Sequence, residues 1–152
     1  MKKYLLAFSL FLLIFSSCKK STDNTAALQA ATDDAAIQSY MKTNNITATK
    51  DPSGLYYSVT KPGTGAYPNS TSNVSVGYTG TLLNGTVFDT QASTYFNLQN
   101  VIKGWQIGIP HINTGGTILL LVPSALGYGT VASGSIPANS VLVFYVTLQG
   151  FN

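Results

Sequence analysis

The sequence predicts an α+β fold, an antiparallel sheet with one short helix packed on it. Three observations predict it. Val74, Val76 and Tyr78 alternate with Ser75, Gly77 and Thr79, the period of a half-buried strand. Asn84-Gly85 stands between the apolar flanks Leu82-Leu83 and Val87-Phe88, a strong hairpin signal. Residues 141–148 are apolar on both faces, as a central strand must be. Composition agrees: 14 Gly, 9 Tyr and 7 Phe among 152 residues favour strands and tight turns over a helical bundle.

The elements follow in order. Thr32 suits a helix N-cap, Asp33 and Asp34 its positive end, and Lys42 its far end. Ile37, Tyr40 and Met41 share one face, and Asn44-Asn45 ends the helix. At about three turns it is marginal alone, so it docks on the following domain or pairs two copies of the chain through residues 32–43. Asp51-Pro52-Ser53-Gly54 is a turn cluster that opens the globular domain. Residues 54–60 form a strand, and Pro62 to Pro68 a loop. Residues 101–109 form a short helix with Asn100 as its cap, although two glycines oppose it. After Gly115-Gly116, residues 117–122 form a strand, and 123–139 a long loop. A loop of that length usually carries function, and its aromatic and branched neighbours suit an apolar pocket.

The N-terminus carries a different signal. Met1-Lys2-Lys3 is basic, Tyr4 to Phe15 is apolar except for Ser9, and Ser16-Ser17-Cys18 follows. Twelve helical residues reach about 18 Å, short of a bilayer core of about 30 Å. The layout resembles a bacterial lipoprotein signal, in which the Cys is lipidated and becomes the new N-terminus. It implies a signal peptide at 1–17, a lipid on Cys18, and export to a bacterial membrane, at its periplasmic face or in the outer membrane. Residues 18–31, small and polar, read as a flexible tether. The helix and a linker fill 32–50, and the domain 51–152.

Charge excludes several function classes. The chain has no Arg and no Glu, and beyond residue 17 six Lys face five Asp. A net +1 gives no electrostatic grip on a nucleic-acid backbone. One Cys and one His exclude a metal cage or a disulfide framework. His111, in Ile109-Pro110-His111-Ile112, reads as a surface or packing residue. From Gly63 to Asn152 only Asp89 and Lys103 are charged. With no Arg to pair it, Asp89 needs a hydroxyl donor if buried, and Tyr78 or Tyr128 can supply one; otherwise it is an Asp in a surface turn.

Six blocks then occur in order: residues 76–82 (VGYTGTL), 85–89 (GTVFD), 101–105 (VIKGW), 125–129 (ALGYG), 136–139 (IPAN) and 142–144 (LVF). Together, over residues 54–152, they resemble FKBP-type peptidyl-prolyl cis-trans isomerases. The resemblance implies a half-open antiparallel sheet wrapped around a short helix, preceded here by the N-terminal helix. It implies catalytic roles for Tyr78, Phe88, Asp89, Trp105, Tyr128 and Phe144, and substrate contacts from Val87, Phe96, Val101, Ile102 and Ile136. Trp105 would floor the pocket. Tyr128 Oη and the Ile102 N–H would bond substrate carbonyls, Asp89 would stand at the pocket edge, and Ile136 would close over it. Substrates would be proline-containing polypeptides, with no cofactor and no metal. Three departures accompany it: a short segment after Asp89 without the usual Arg, Thr94 in place of a pocket aromatic, and a slightly short loop from Tyr128 to Ile136. The short segment, Thr94 and the missing Arg favour the alternative, a chaperone or peptide-binding module of the same fold with little or no isomerase activity; the matching Trp105, Tyr128, Phe88, Asp89 and Phe144 favour the enzyme. A surface adhesin suits the composition but does not explain the ordered blocks.

Overall fold

The computed structural model describes residues 19–152. Residues 1–17, read above as a signal peptide, and Cys18 lie outside the described residues. A helix, α1 (Lys19–Thr43), precedes six strands: β1 (Thr49–Lys50), β2 (Tyr56–Lys61), β3 (Asn73–Leu82), β4 (Val87–Asn97), β5 (Thr117–Val122) and β6 (Leu142–Phe151). A second helix, α2 (Lys103–Gly108), lies between β4 and β5. The strands form one antiparallel sheet in the order β1-β2-β5-β6-β3-β4. Among the described residues no helix is long and apolar enough to cross a membrane.

Helix α1 corrects the tether. It is helical back to Lys19, through the segment read as flexible. The physical reason is Ala26, Ala27, Ala30 and Ala31, the residues of highest helix propensity. The C-terminus ends as expected. Asn45 takes φ +53°, and the Ile46 N–H donates to the Met41 carbonyl at 2.9 Å. That is a Schellman closure with Asn in the left-handed position. Ile37 is fully buried against Tyr56, Leu119, Leu121, Val141 and Val143, with Tyr40 and Met41 beside it. Of the two uses predicted for this apolar face, docking is the one observed. The Ile37 side chain is covered by the chain's own sheet.

The two faces of the sheet differ in use. Val74, Val76 and Tyr78 of β3, Ile118, Leu120 and Val122 of β5, and Phe144, Val146 and Leu148 of β6 build the main core with Trp105. The alternate residues of β5 and β6 meet α1. β6 lies between β5 and β3, the central place its sequence predicts; its inner face is buried as far as Leu148, but of its outer face only Val143 is buried, and Tyr145 is 47% exposed. The hairpin turns at Gly85, which takes φ +86°, and the Leu82 N–H donates to the Thr86 carbonyl at 3.0 Å. β4 then runs on to Asn97, well beyond the predicted hairpin arm.

Helix α2 begins at Lys103, two residues later than predicted, and Asn100 does not cap it. The capping Asn is Asn97, whose Oδ1 accepts the Gln99 N–H at 2.9 Å and starts the preceding 3-10 turn (Leu98–Asn100). The two helix glycines that lower propensity are the reason α2 fits. A methyl group on Gly104 would lie 2.6 Å from Val122 Cγ1, and one on Gly108 2.4 Å from Leu120 Cδ2. Val122 is β-branched and stiff, so it cannot swing aside. Gly104→Ala is expected to lower stability by about 1–2 kcal/mol, because overpacking outweighs the roughly 1 kcal/mol of helix propensity gained. Urea denaturation checks this; a midpoint raised by the substitution would contradict the close-approach account.

Candidate active site

Helix α2 delivers Trp105 to the middle of the sheet's inner face. Trp105 is only 4% exposed. The rings of Tyr78, Phe96 and Phe144 meet it edge to face, with centroids at 4.9, 5.6 and 5.3 Å. This is the preferred aromatic geometry. Trp105 Nε1 is buried with no hydrogen-bond partner among the described residues, so ring packing alone holds the indole. Phe88 packs edge to face on Phe144 at 5.5 Å, and Gly80 makes room for both, since a methyl group there would lie 2.6 Å from the Phe88 ring.

Above this floor lies an open cleft of about 520 Å³. It is large enough for a proline ring and its neighbours. The structure brings Tyr78, Phe88, Asp89, Phe96, Val101, Ile102, Trp105, Tyr128, Ile136 and Phe144 to this one cleft. Val87 is the exception. It is 55% exposed and does not line the cleft. The cause is a bulge in β4: Gly80 pairs with Asp89 and Thr81 with Val87, leaving Phe88 unpaired. A bulge re-aims side chains. Here it lets the consecutive residues Phe88 and Asp89 both reach the cleft, whereas strict alternation would turn one away. Asn100, Ser133, Gly134 and Ser135 also line the cleft, and no sequence signal singled them out.

Asp89 is exposed at the rim, and its donor is the Tyr78 hydroxyl. Burial, and then that hydrogen bond, push the Tyr78 phenol well above its usual range. The Val101-Ile102 entrance is pinned by Gln106, whose Nε2 donates to the Val101 carbonyl at 2.8 Å. The Ile102 carbonyl accepts the first turn of α2, from Trp105 N at 3.0 Å and Gln106 N at 3.2 Å. Opposite, Ser133 and Ile136 exchange two backbone hydrogen bonds of 2.9 Å around Gly134, which takes φ +56°. That tight turn presents Ile136, almost wholly buried, over the cleft. Tyr128 is 43% exposed, and its hydroxyl makes no hydrogen bond among the described residues. His111 lies away from the cleft and stacks on Tyr57 at 4.1 Å.

A cleft with a floor of aromatic rings suits a non-covalent reaction on an apolar ring. Comparison with known proteins agrees. Residues 65–149 match the family model described as FKBP-type peptidyl-prolyl cis-trans isomerase. The chain belongs to that family. It is similar to the FKBP-type peptidyl-prolyl cis-trans isomerase FkpA of Aeromonas hydrophila, 48% identical over 100 residues, which are 63% of this chain and 37% of that protein. The crystal structure of FkpA from Escherichia coli superposes with a TM-score of 0.73 at 34% identity, covering 88% of this chain and 66% of that one. A peptidyl-prolyl cis-trans isomerase from Pseudomonas syringae gives 0.70 at 28% identity, over 81% of this chain and 96% of that one. The chain spans less than half the length of the curated relatives it matches.

The raised Tyr78 phenol has a signed consequence. The folded state keeps its proton after an unfolded tyrosine has lost one, near pH 10. Its contribution to stability is therefore complete below about pH 10 and is lost as pH rises further. Tyr78→Phe is expected to flatten the alkaline fall in stability and to remove a late-ionising tyrosine from an ultraviolet titration. An unchanged titration curve would contradict the assignment.

Proposed function

We propose that this chain is a prolyl isomerase that speeds rotation about X–Pro bonds of exported polypeptides while a lipid on Cys18 holds it at a bacterial membrane. The observation that carries the reading is the aromatic cleft floored by Trp105. The amide barrier is about 18–20 kcal/mol because resonance keeps the bond planar. The twisted amide has lost that resonance and separates less charge. A water-poor aromatic pocket therefore disfavours the planar form relative to the twisted one. In this reading the Tyr128 hydroxyl and the Ile102 N–H hold flanking carbonyls, which orients the peptide. A millionfold gain needs about 8 kcal/mol, and none of it has to come from covalent chemistry. Family membership supports the reading.

A protease-coupled assay on short X–Pro peptides is the test. Acceleration by the wild-type chain at micromolar concentration is expected. Asp89→Ala and Tyr128→Phe are each expected to lower kcat/KM about tenfold or more, the loss of about 1.4 kcal/mol of transition-state binding, while cooperative unfolding persists. A wild-type protein without acceleration would leave the second reading, a peptide-binding module. That reading draws on Val131, 69% exposed on the loop that also carries Tyr128. Anchoring rests on the Lys2-Lys3, apolar, Ser16-Ser17-Cys18 pattern. Cys18→Ala is expected to release the protein from the membrane fraction; retention there would refute the lipid.

A further inference from the structure

Asp33 is the least expected polar group in the fold. It stands in the middle of α1 and is only 2% exposed. A buried carboxylate needs partners, and Asp33 has three. Gln29 Nε2 donates to Oδ1 at 2.7 Å, one helical turn away. The backbone N–H and the hydroxyl of Ser124 both donate to Oδ2, at 2.8 and 2.6 Å. Ser124 is itself 2% exposed and opens the 3-10 turn Ser124–Leu126. Pro123, at the N-cap position of that turn, provides no side-chain cap. Asp33 fills the role from 91 residues away in sequence.

The same Ser124 holds the loop from its other end. Its carbonyl accepts the Gly127 N–H at 3.0 Å and the Gly129 N–H at 2.9 Å, one on each side of Tyr128. The Gly129 carbonyl in turn accepts the Asn139 N–H at 2.8 Å. Tyr128 lines the cleft, and its hydroxyl has no partner of its own among the described residues. Its place is therefore set by the loop backbone, and that backbone is set by Ser124. We infer that Asp33 is a positioning residue for Tyr128: the buried Asp33–Ser124 clamp couples the N-terminal helix to the cleft and fixes where the Tyr128 hydroxyl meets a substrate carbonyl. The inference rests on the isomerase reading for its effect on rate, and on the hydrogen bonds alone for its effect on the loop.

Two readouts on the full chain separate these. In the peptide assay, Asp33→Ala is expected to lower kcat/KM about tenfold in the wild-type background and less than about twofold in the Tyr128→Phe background, because both changes remove one interaction. Asp33→Asn keeps an acceptor for Ser124 and is expected to stay within about threefold of wild type. In native-state hydrogen exchange, Asp33→Ala is expected to speed the Gly127 and Gly129 amides about tenfold while β5 and β6 amides are unchanged. Equal losses in the two backgrounds, or unchanged Gly127 and Gly129 exchange, would overturn the inference. If the wild-type chain has no isomerase activity, the functional reading falls and the exchange data alone decide whether Asp33 positions the loop. If Asp33→Ala does not fold, Ser124→Ala, which removes only the hydroxyl arm, is read by the same two measurements.

Discussion

The site depends on one packing constraint: an indole must be packed against the inner face of a sheet with nothing polar to hold it. A buried N–H without a partner costs about 1–3 kcal/mol, and Trp105 Nε1 is such a group. The compensation is geometric. Three rings meet the indole edge to face, and such contacts add about 0.5–1.5 kcal/mol each beyond area burial. They are available only because α2 sits very close to β5, and that closeness requires Gly104 and Gly108. Poor helix propensity in residues 103–108 and a good aromatic floor are thus one feature seen twice. A tighter helix former at either glycine would lift the indole off its neighbours.

The second constraint is the irregularity of β4. A regular strand presents alternate residues to one face. The cleft uses Phe88, Asp89 and Phe96 from the same strand, a spacing that alternation cannot supply. The shifts in register against β3, between Val76 and Tyr78 and between Gly80 and Thr81, resolve the conflict. They bring Phe88 against Phe144 and put the Asp89 carboxylate beside the Tyr78 hydroxyl. With no Arg in the chain, that phenol is the whole of the carboxylate's local support among the described residues.

The parts legible in the sequence are those governed by period and turn chemistry. Alternation around Tyr78, the turn at Asn84-Gly85, the central place of β6 and the Asn44-Asn45 helix end are all local signals, and the structure keeps each of them. Most of the cleft was legible too, because the aromatic positions fall in ordered blocks. Three things were not. Val87 was placed in the site because its block contains it, but a bulge has no signature in a single sequence. The helical state of residues 19–31 was hidden by reading small polar composition as a tether, when Ala propensity decides it. Asn100 does not cap α2, which has no side-chain cap; the capping Asn is Asn97, on the 3-10 turn before it, which only the path of the chain after β4 settles.

Asp33 shows a different limit. In sequence it looks like a charge suited to the positive end of a helix, and for a helix starting at Thr32 that reading is sound. Once the helix is seen to run back at least to Lys19, Asp33 falls mid-helix, where the helix dipole gives it nothing. Its burial then demands a tertiary reason, and Ser124 provides it. The same argument explains why α1 docks where it does. Ile37 contributes apolar area, which is non-directional, whereas the Asp33 carboxylate accepts from two fixed donors and sets rotation and register. Sliding the helix by one residue would leave a buried carboxylate and a buried serine amide both unpaired. The helix is therefore placed by its polar contact and held by its apolar one, and the loop that carries Tyr128 is tied to that placement.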